Sequence, residues 1–133
     1  MENDLQALGF DSEEVEEILT QMEDETDFEY GTYRFISDEV IDDVLFDEMS
    51  GDEYLLGCFA SWVIADATGW PIALIEAAQK GEAFDEIGEA MTEDHIRNLV
   101  KLYVSEDGYG HHFATYDGED NEIGDDWHAF RVN

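Results

Sequence analysis

Residues 11–36, DSEEVEEILTQMEDETDFEYGTYRFI, decide the fold, because a helix signal passes directly into a strand signal. Asp11 and Glu14 have the spacing of a capping box, which predicts that a helix begins here. Residues 28–36 are rich in aromatic and β-branched side chains and predict a strand. A helix followed by such a strand indicates an α+β domain. The buried stripe of the helix is predicted from the helical spacing of Val15, Ile18, Leu19 and Met22.

The rest of the chain extends this α+β pattern in both directions. We expect about five to six helices packed on a small antiparallel sheet, within a single acidic globular domain spanning residues 1–133. The sheet is expected to combine the strand near 28–36 with C-terminal β-hairpins over 111–132. Their strands are predicted at 111–116, 121–123 and 127–132, joined by turns at Asp117-Gly118 and at Gly124-Asp125-Asp126. Further helix signals lie at residues 4–8, 38–49 (capped by Ser37), 52–68, 71–81, 82–91 and 93–105.

Net charge is the feature of the composition that bears most on function. The chain has 36 acidic and five basic residues, a formal net charge of −31. Roughly 53 Å of duplex DNA carries the same charge, whereas a compact domain of this length is only roughly 36 Å across. Aromatic residues make up 13% of the chain, so we expect a folded domain and not a disordered acidic tail. The sequence therefore predicts an anionic surface about as dense in charge as DNA.

Charge of this sign excludes several classes of partner. Nucleic acids and anionic membranes are repelled, so direct binding to either is not expected. The N-terminus lacks the basic and apolar regions of a signal peptide, and Asp66 and Pro71 interrupt the longest apolar stretch. Cys58 has no second cysteine to pair with and is interpreted as a small core residue. We expect a cytoplasmic protein, in the host cytoplasm if it is viral, whose partner is basic.

No motif indicates catalysis or a cofactor. With so many acids, paired carboxylates arise by chance and do not by themselves indicate an enzyme. Residues 117–122, DGEDNE, do not fit the EF-hand template. His111 and His112 are expected on opposite faces of a strand, and neither they nor His95 and His128 have zinc-site spacing. We therefore expect no enzymatic activity, no metal and no cofactor.

The N-terminal segment LQALGF, residues 5–10, precedes the helix that carries Val15 and Ile18. Together they resemble the first two helices of a ubiquitin-associated domain. The chain departs from that family because a β-rich segment follows where the third helix should be. Leu8 and Phe10 are therefore interpreted as core anchors and not as ubiquitin-binding residues.

Among the large aromatic residues, Trp62 and Trp127 are expected in the core, whereas Trp70 and Tyr109 are expected to be more exposed.

The acidic helix faces contain like-charged pairs four residues apart, such as Glu13/Glu17 and Asp38/Asp42, with no lysine between them. Such pairs cost stability, which indicates that the charge itself is used.

In charge, size and lack of a catalytic motif, the chain resembles DNA-mimic proteins encoded by phages and mobile elements. That resemblance implies an inhibitor of a DNA-binding host defence enzyme, either a restriction–modification complex or a CRISPR effector. The inhibitor would compete for the enzyme's basic DNA-binding surface. The predicted partner-binding residues are Glu13, Glu14, Glu16, Glu17, Glu23, Asp24, Asp38, Glu39, Asp42, Asp43, Asp47, Glu48, Asp117, Glu119, Asp120, Glu122, Asp125 and Asp126.

Two other classes of function fit the same charge. One is an acidic interaction module or chaperone that binds many basic proteins loosely. The other is a housekeeping protein from a halophile, in which concentrated salt screens the repulsion. The slight excess of Glu (19) over Asp (17) does not favour the halophilic alternative. A homodimer would extend the anionic surface.

Overall fold

A computed structural model describes residues 1–133 and shows an α+β fold with nine helices and one four-stranded antiparallel sheet. The α+β class is confirmed, whereas the predicted number of helices is too low. The chain forms two compact units. Unit 1 comprises Met1–Ile41 and Asp107–Asn133, and unit 2 comprises Asp42–Glu106. The prediction of a single domain stays a prediction.

The helices are α1 (Glu2–Ala7), α2 (Ser12–Asp24), α3 (Ile41–Ser50), α4 (Glu53–Gly57), α5 (Ser61–Thr68), α6 (Ile72–Lys80), α7 (Phe84–Ala90), α8 (Glu93–Asp107) and α9 (Tyr109–Phe113).

The sheet of unit 1 consists of two hairpins joined through their inner strands. Its strands are β1 (Asp27–Tyr30), β2 (Tyr33–Ser37), β3 (Asn121–Ile123) and β4 (Trp127–Arg131), in the order β1-β2-β4-β3. β1 and β3 are therefore the edges. The C-terminal hairpin at 121–131 confirms two predicted strands. The single strand predicted over 28–36 is wrong, because Gly31, at φ 61, turns the chain and makes the segment a hairpin.

One face of the sheet packs against α1 and α2. Cross-strand partners Phe28 and Phe35 stack with their ring centroids 5.3 Å apart, and Trp127 meets Phe28 edge to face. Leu5 of α1 and Ile18 of α2 are fully buried in the same cluster. The predicted anchors Leu8 and Phe10 pack against this cluster as partly buried residues. The apolar stripe of α2 thus fixes which of its faces remains in solvent.

The strand predicted over 111–116 is wrong, because residues 109–113 form α9. Gly108 precedes this helix as its N-cap at φ 78, a conformation that favours glycine. Gly110 lies so close to the loop at Gly118 that a Cβ would come within 2.4 Å of the Gly118 carbonyl oxygen. Asp117-Gly118 is consequently not a hairpin turn, since no strand precedes it. His111 and His112 lie on a helix and not on opposite faces of a strand.

Unit 2 is entirely helical, and its centre is a close crossing of α4 and α7. The helix predicted over 52–68 is instead two helices, because the chain breaks between Gly57 and Ser61. Gln79 of α6 donates its side-chain amide to the carbonyl oxygens of Gly57 (3.0 Å) and Phe59 (2.7 Å). These bonds satisfy backbone acceptors that the break leaves without helical partners. Asp52 caps α4 by accepting from the backbone N–H of Leu55.

Two residues of unit 2 that were expected in the core lie at the surface. Cys58 is exposed, and Trp62 is 51% exposed. Cys58 was expected in the core because its neighbours are apolar, but it lies in the break between α4 and α5. Trp62 was expected there from its spacing, but α5 buries Val63, Ile64 and Ala67 instead. No helix of the chain has both the length and the hydropathy needed to cross a bilayer.

Candidate partner-binding surface

The acidic face of α2 is held in place by its cap and its buried stripe. Asp11 Oδ1 accepts from the backbone N–H of Glu14 at 2.9 Å, and Glu14 Oε1 accepts from that of Asp11 at 3.1 Å. This is the predicted capping box, which orients the first turn. Val15 and Ile18 are buried, so the opposite side faces solvent. A shallow depression along that side is lined by Glu13, Glu16, Glu17, Thr20, Gln21 and Asp24.

Two of the predicted α2 residues also have structural roles. Glu14 is only partly exposed and completes the capping box. Glu17 accepts a hydrogen bond from the hydroxyl of Tyr30 on β1, and this bond raises the pKa of Tyr30 to about 12. The remaining four predicted residues of this helix are exposed: Glu13, Glu16, Glu23 and Asp24.

The bases of unit 1 engage groups within the same unit. Arg34 binds Asp27 through two parallel hydrogen bonds of 2.8 and 2.7 Å and lies over the ring of Phe113. Arg131 lies 4.0 Å from the ring centroid of Tyr116 and donates to the carbonyl oxygen of Asn133. Unit 1 holds 21 of the 36 acids but only these two of the five bases. Its anionic groups therefore greatly outnumber its cations.

A buried histidine joins two of the predicted partner-binding residues. His128 of β4 is 7% exposed. Its Nε2 lies 2.8 Å from Asp38 Oδ1, and its Nδ1 lies 2.9 and 3.0 Å from the two carboxylate oxygens of Asp120. The strand register explains the arrangement, since His128 pairs with Ile36 on one side and Glu122 on the other. Asp38 and Asp120 lie two residues beyond these partners, on the same face.

This arrangement favours the charged imidazolium. Hydrogen bonds to Asp120, and then to Asp38, raise the pKa of His128 to about 9, and outweigh the opposing effect of burial. The main structural role of Asp38 and Asp120 is therefore to serve as counter-ions of the His128 imidazolium. The side chain of Asp38 nevertheless remains 59% exposed, whereas that of Asp120 is 26% exposed. From the sequence, His128 was expected to be an ordinary polar residue without zinc-site spacing. Its place between acidic segments in a strand is the only signal that could have found it.

We expect His128 to make unit 1 less stable as the pH rises from about 6.5 to about 9. The pKa of His128 is higher in the folded protein than in the unfolded chain, so its protonation stabilises the fold. This stabilisation is complete below the unfolded pKa and is lost as the pH rises through the folded pKa. Its size is on the order of 3 kcal/mol. Urea unfolding of the protein across this pH range measures the loss. The H128Q variant is the control and should show a nearly flat profile, because the carboxylates are already ionised there. Equal slopes for the two proteins would contradict the assignment.

The acids predicted near 38–48 do not all lie on one helix. Residues 38–40 form a turn, so Asp38 and Glu39 precede α3. Ser37 Oγ accepts from the backbone N–H of Glu39 (3.3 Å) and is not the cap of α3. The four acids on α3 itself are exposed and belong to unit 2: Asp42, Asp43, Asp47 and Glu48.

Asp43 is paired within unit 2. Arg97 Nη1 donates to Asp43 Oδ1 at 2.8 Å, and the guanidinium lies 3.9 Å from the ring centroid of Phe46. The α3 face is therefore less strongly anionic than the α2 face.

The predicted residues at 117–126 lie in the loop between α9 and β3 and in the β3–β4 hairpin. Asp117 Oδ1 accepts from the backbone N–H of Glu119 at 3.0 Å. Glu122 is exposed on the edge strand β3, and Asp125 and Asp126 are exposed in the hairpin turn. Together with Asp38 and His128, the side chains of Glu122 and Asp125 line a small cavity of about 200 Å³. No group of three or more His, Cys, Asp or Glu side chains is arranged to hold a metal ion.

The structure thus brings most of the predicted residues of unit 1 into two groups, whereas Glu39, Asp117, Glu119 and Asp126 lie outside both. The first is the α2 face, and the second is the depression where Asp38, Glu122 and Asp125 converge. Comparison with protein-family models, with curated proteins and with solved structures finds no match to this chain.

Proposed function

We propose that this chain is a DNA-mimic inhibitor of a DNA-binding host defence enzyme, either a restriction–modification complex or a CRISPR effector. It acts by binding and has no catalytic role, and its place of action is the host cytoplasm. The observation that carries the proposal is the α2 face, where exposed carboxylates stand without a basic side chain on the helix. The target is a protein surface whose Lys and Arg side chains are arranged for DNA phosphates.

The geometry of α2 supports this assignment. Glu13, Glu17 and Asp24 recur at helical spacing along one side, with Glu16 and Glu23 beside them. Successive turns of a helix are about 5.4 Å apart and each residue rises about 1.5 Å, so these carboxylates form a column about 17 Å long. Arginine can bind a carboxylate through two parallel hydrogen bonds, as it binds a phosphate. A rigid acidic column can therefore occupy a groove that normally follows a DNA strand.

Competition with DNA tests the proposal. The purified chain, immobilised, captures its target from bacterial lysate at about 100 mM salt, where exposed charges still attract over about 10 Å. We expect one captured protein or complex to dominate and duplex DNA to release it, because both ligands occupy the same surface. Affinity should fall steeply as salt rises.

Two outcomes would contradict the proposal in favour of another class of function. Loose capture of many basic proteins, with no release by duplex DNA, would indicate a general acidic interaction module. Unfolding of the chain at about 100 mM salt, followed in circular dichroism, would indicate adaptation to brine. A DNA mimic stays folded at this salt concentration and binds more tightly there than at higher salt.

A further inference from the structure

Unit 2 carries an apolar groove on a chain whose surface is otherwise strongly charged. The groove lies between α6 and α7 and has a cavity volume of about 270 Å³. Ile75 and Ile87 are buried, whereas Leu74 on the rim is 65% exposed. Ile72, on the same helix as Leu74, is 44% exposed. The other lining residues include Trp70, Ala78, Ala90 and one carboxylate, Glu86.

The helices around the groove are acidic. Residues 72–90 contain five acids and one base, Lys80. The nearby carboxylates crowd one another, because Glu53 above all, with Glu86 and Asp85, raises the pKa of Glu89. A cation supplied by a partner would relieve this repulsion. The groove therefore combines an apolar floor with one lining carboxylate, Glu86, on helices whose net negative charge attracts cations to the rim.

Charge complementarity indicates which kind of molecule binds in the α6–α7 groove. A second copy of the chain would bring a further net charge of −31 against this rim and is disfavoured. An anionic lipid surface is disfavoured for the same reason. A segment that is both basic and amphipathic satisfies both features, because its apolar side chains enter the groove while its Lys or Arg side chains face the rim.

We propose that the α6–α7 groove binds an amphipathic, Lys/Arg-rich helical segment of the partner protein. One or two Leu-, Ile- or Phe-sized side chains of that segment enter the cavity, and flanking cations pair with Glu86 and its acidic neighbours. This inference rests on the proposed function in so far as the partner is a basic protein. The groove adds an apolar contact that DNA does not make. The chain therefore recognises the shape and apolar side chains of its partner as well as the partner's positive charge.

The groove is tested with synthetic peptides of about 18 residues, a length of about five helical turns. The first has leucines at one helical stripe and lysines elsewhere. The second has the same composition in scrambled order, and the third has Gln in place of Lys. Amide chemical shifts locate each peptide, and calorimetry gives its affinity. We expect the first peptide to shift residues of α6 and α7 and to bind at least about tenfold more tightly than either control.

Variants of the groove complete the test. Leu74→Ser removes an exposed apolar side chain and should weaken the first peptide about tenfold, with little effect on folding. Ala90→Trp fills the groove and should also weaken binding of the first peptide. Tyr116→Ser removes an apolar residue that is equally exposed but lies in unit 1, and it should have no effect.

Three results would overturn the inference. They are equal binding of the scrambled or Gln peptide, chemical shifts confined to α2, and concentration-dependent self-association that Leu74→Ser abolishes. Charge reversal on α2 should leave peptide binding unchanged. Failure of the groove inference and failure of the DNA-mimic proposal are therefore distinguishable, since each depends on different variants and a different ligand.

Discussion

Replacing Glu13, Glu16, Glu23 and Asp24 with lysine is expected to lower the affinity for the proposed DNA-binding target by at least about a thousandfold at about 100 mM salt. Each reversal turns an attraction into a repulsion, and each of these terms is about 1 kcal/mol for exposed charges 4 Å apart. Screening reduces the total, but about 4 kcal/mol already corresponds to a thousandfold change. Competition binding against duplex DNA measures the loss.

The fold should tolerate these four changes. Glu14 and Glu17 are kept because they form the capping box and the bond to Tyr30. Lysine at position 13 is unfavourable near the helix N-terminus, whereas lysine at 23 and 24 is favourable near its C-terminus. Circular dichroism should therefore show an unchanged helical content and a melting temperature close to that of the original chain.

A matched control separates the α2 face from total charge. Asp66, Asp94, Glu106 and Asp107 are exposed acids outside the predicted surface, and their reversal changes the net charge by the same amount. This control should retain most of the affinity. Equal losses in both variants would show that net charge alone drives binding, and an unaffected α2 variant would remove that helix from the binding surface.

The Gly88→Ala variant is expected to lose about 3 kcal/mol of stability in unit 2, because the added methyl group meets backbone atoms and not the flexible end of a side chain. A Cβ at Gly88 would lie 2.1 Å from the carbonyl oxygen of Glu53. Across the same crossing of α4 and α7, a Cβ at Gly57 would lie 2.0 Å from the carbonyl oxygen of Phe84. Urea unfolding measures the effect, and Gly57→Ala should behave in the same way.

Gly81→Ala is the matched control for these variants. A Cβ there would lie 3.6 Å from the nearest backbone oxygens, an ordinary contact, and the φ of −83° suits any residue. Its stability should change by less than about 0.5 kcal/mol or rise slightly. If Gly88→Ala unfolded at the same urea concentration as Gly81→Ala, α4 and α7 could not be in backbone contact. Because α7 forms one wall of the apolar groove, Gly88→Ala should also abolish peptide binding.

The local signals in the sequence predicted local structure well. The capping box at Asp11 and Glu14 and the helical spacing of Val15 and Ile18 fixed both the start of α2 and its exposed face. The C-terminal hairpin was also predicted, because its two strands are separated by a short glycine-containing turn. The α2 part of the candidate surface follows directly from these signals.

The errors concern features that depend on contacts distant in sequence. The break after Gly57 is stabilised by Gln79, more than twenty residues away along the chain, and no local propensity reveals it. The helix at 109–113 depends on the close approach of Gly110 to Gly118. The role of His128 requires Asp38, which is ninety residues distant in sequence. A list of acids therefore cannot tell a counter-ion of a buried histidine from a carboxylate open to a partner.

The edges of the sheet have a consequence for the behaviour of the chain at high concentration. β1 and β3 are only four and three residues long, and they carry Asp27, Glu29 and Glu122. Two copies that met edge to edge would place carboxylates against carboxylates, which discourages the strand pairing that starts fibrils. The proposed function requires the chain to accumulate in excess of its target, and short acidic edges of this kind disfavour aggregation at such concentrations.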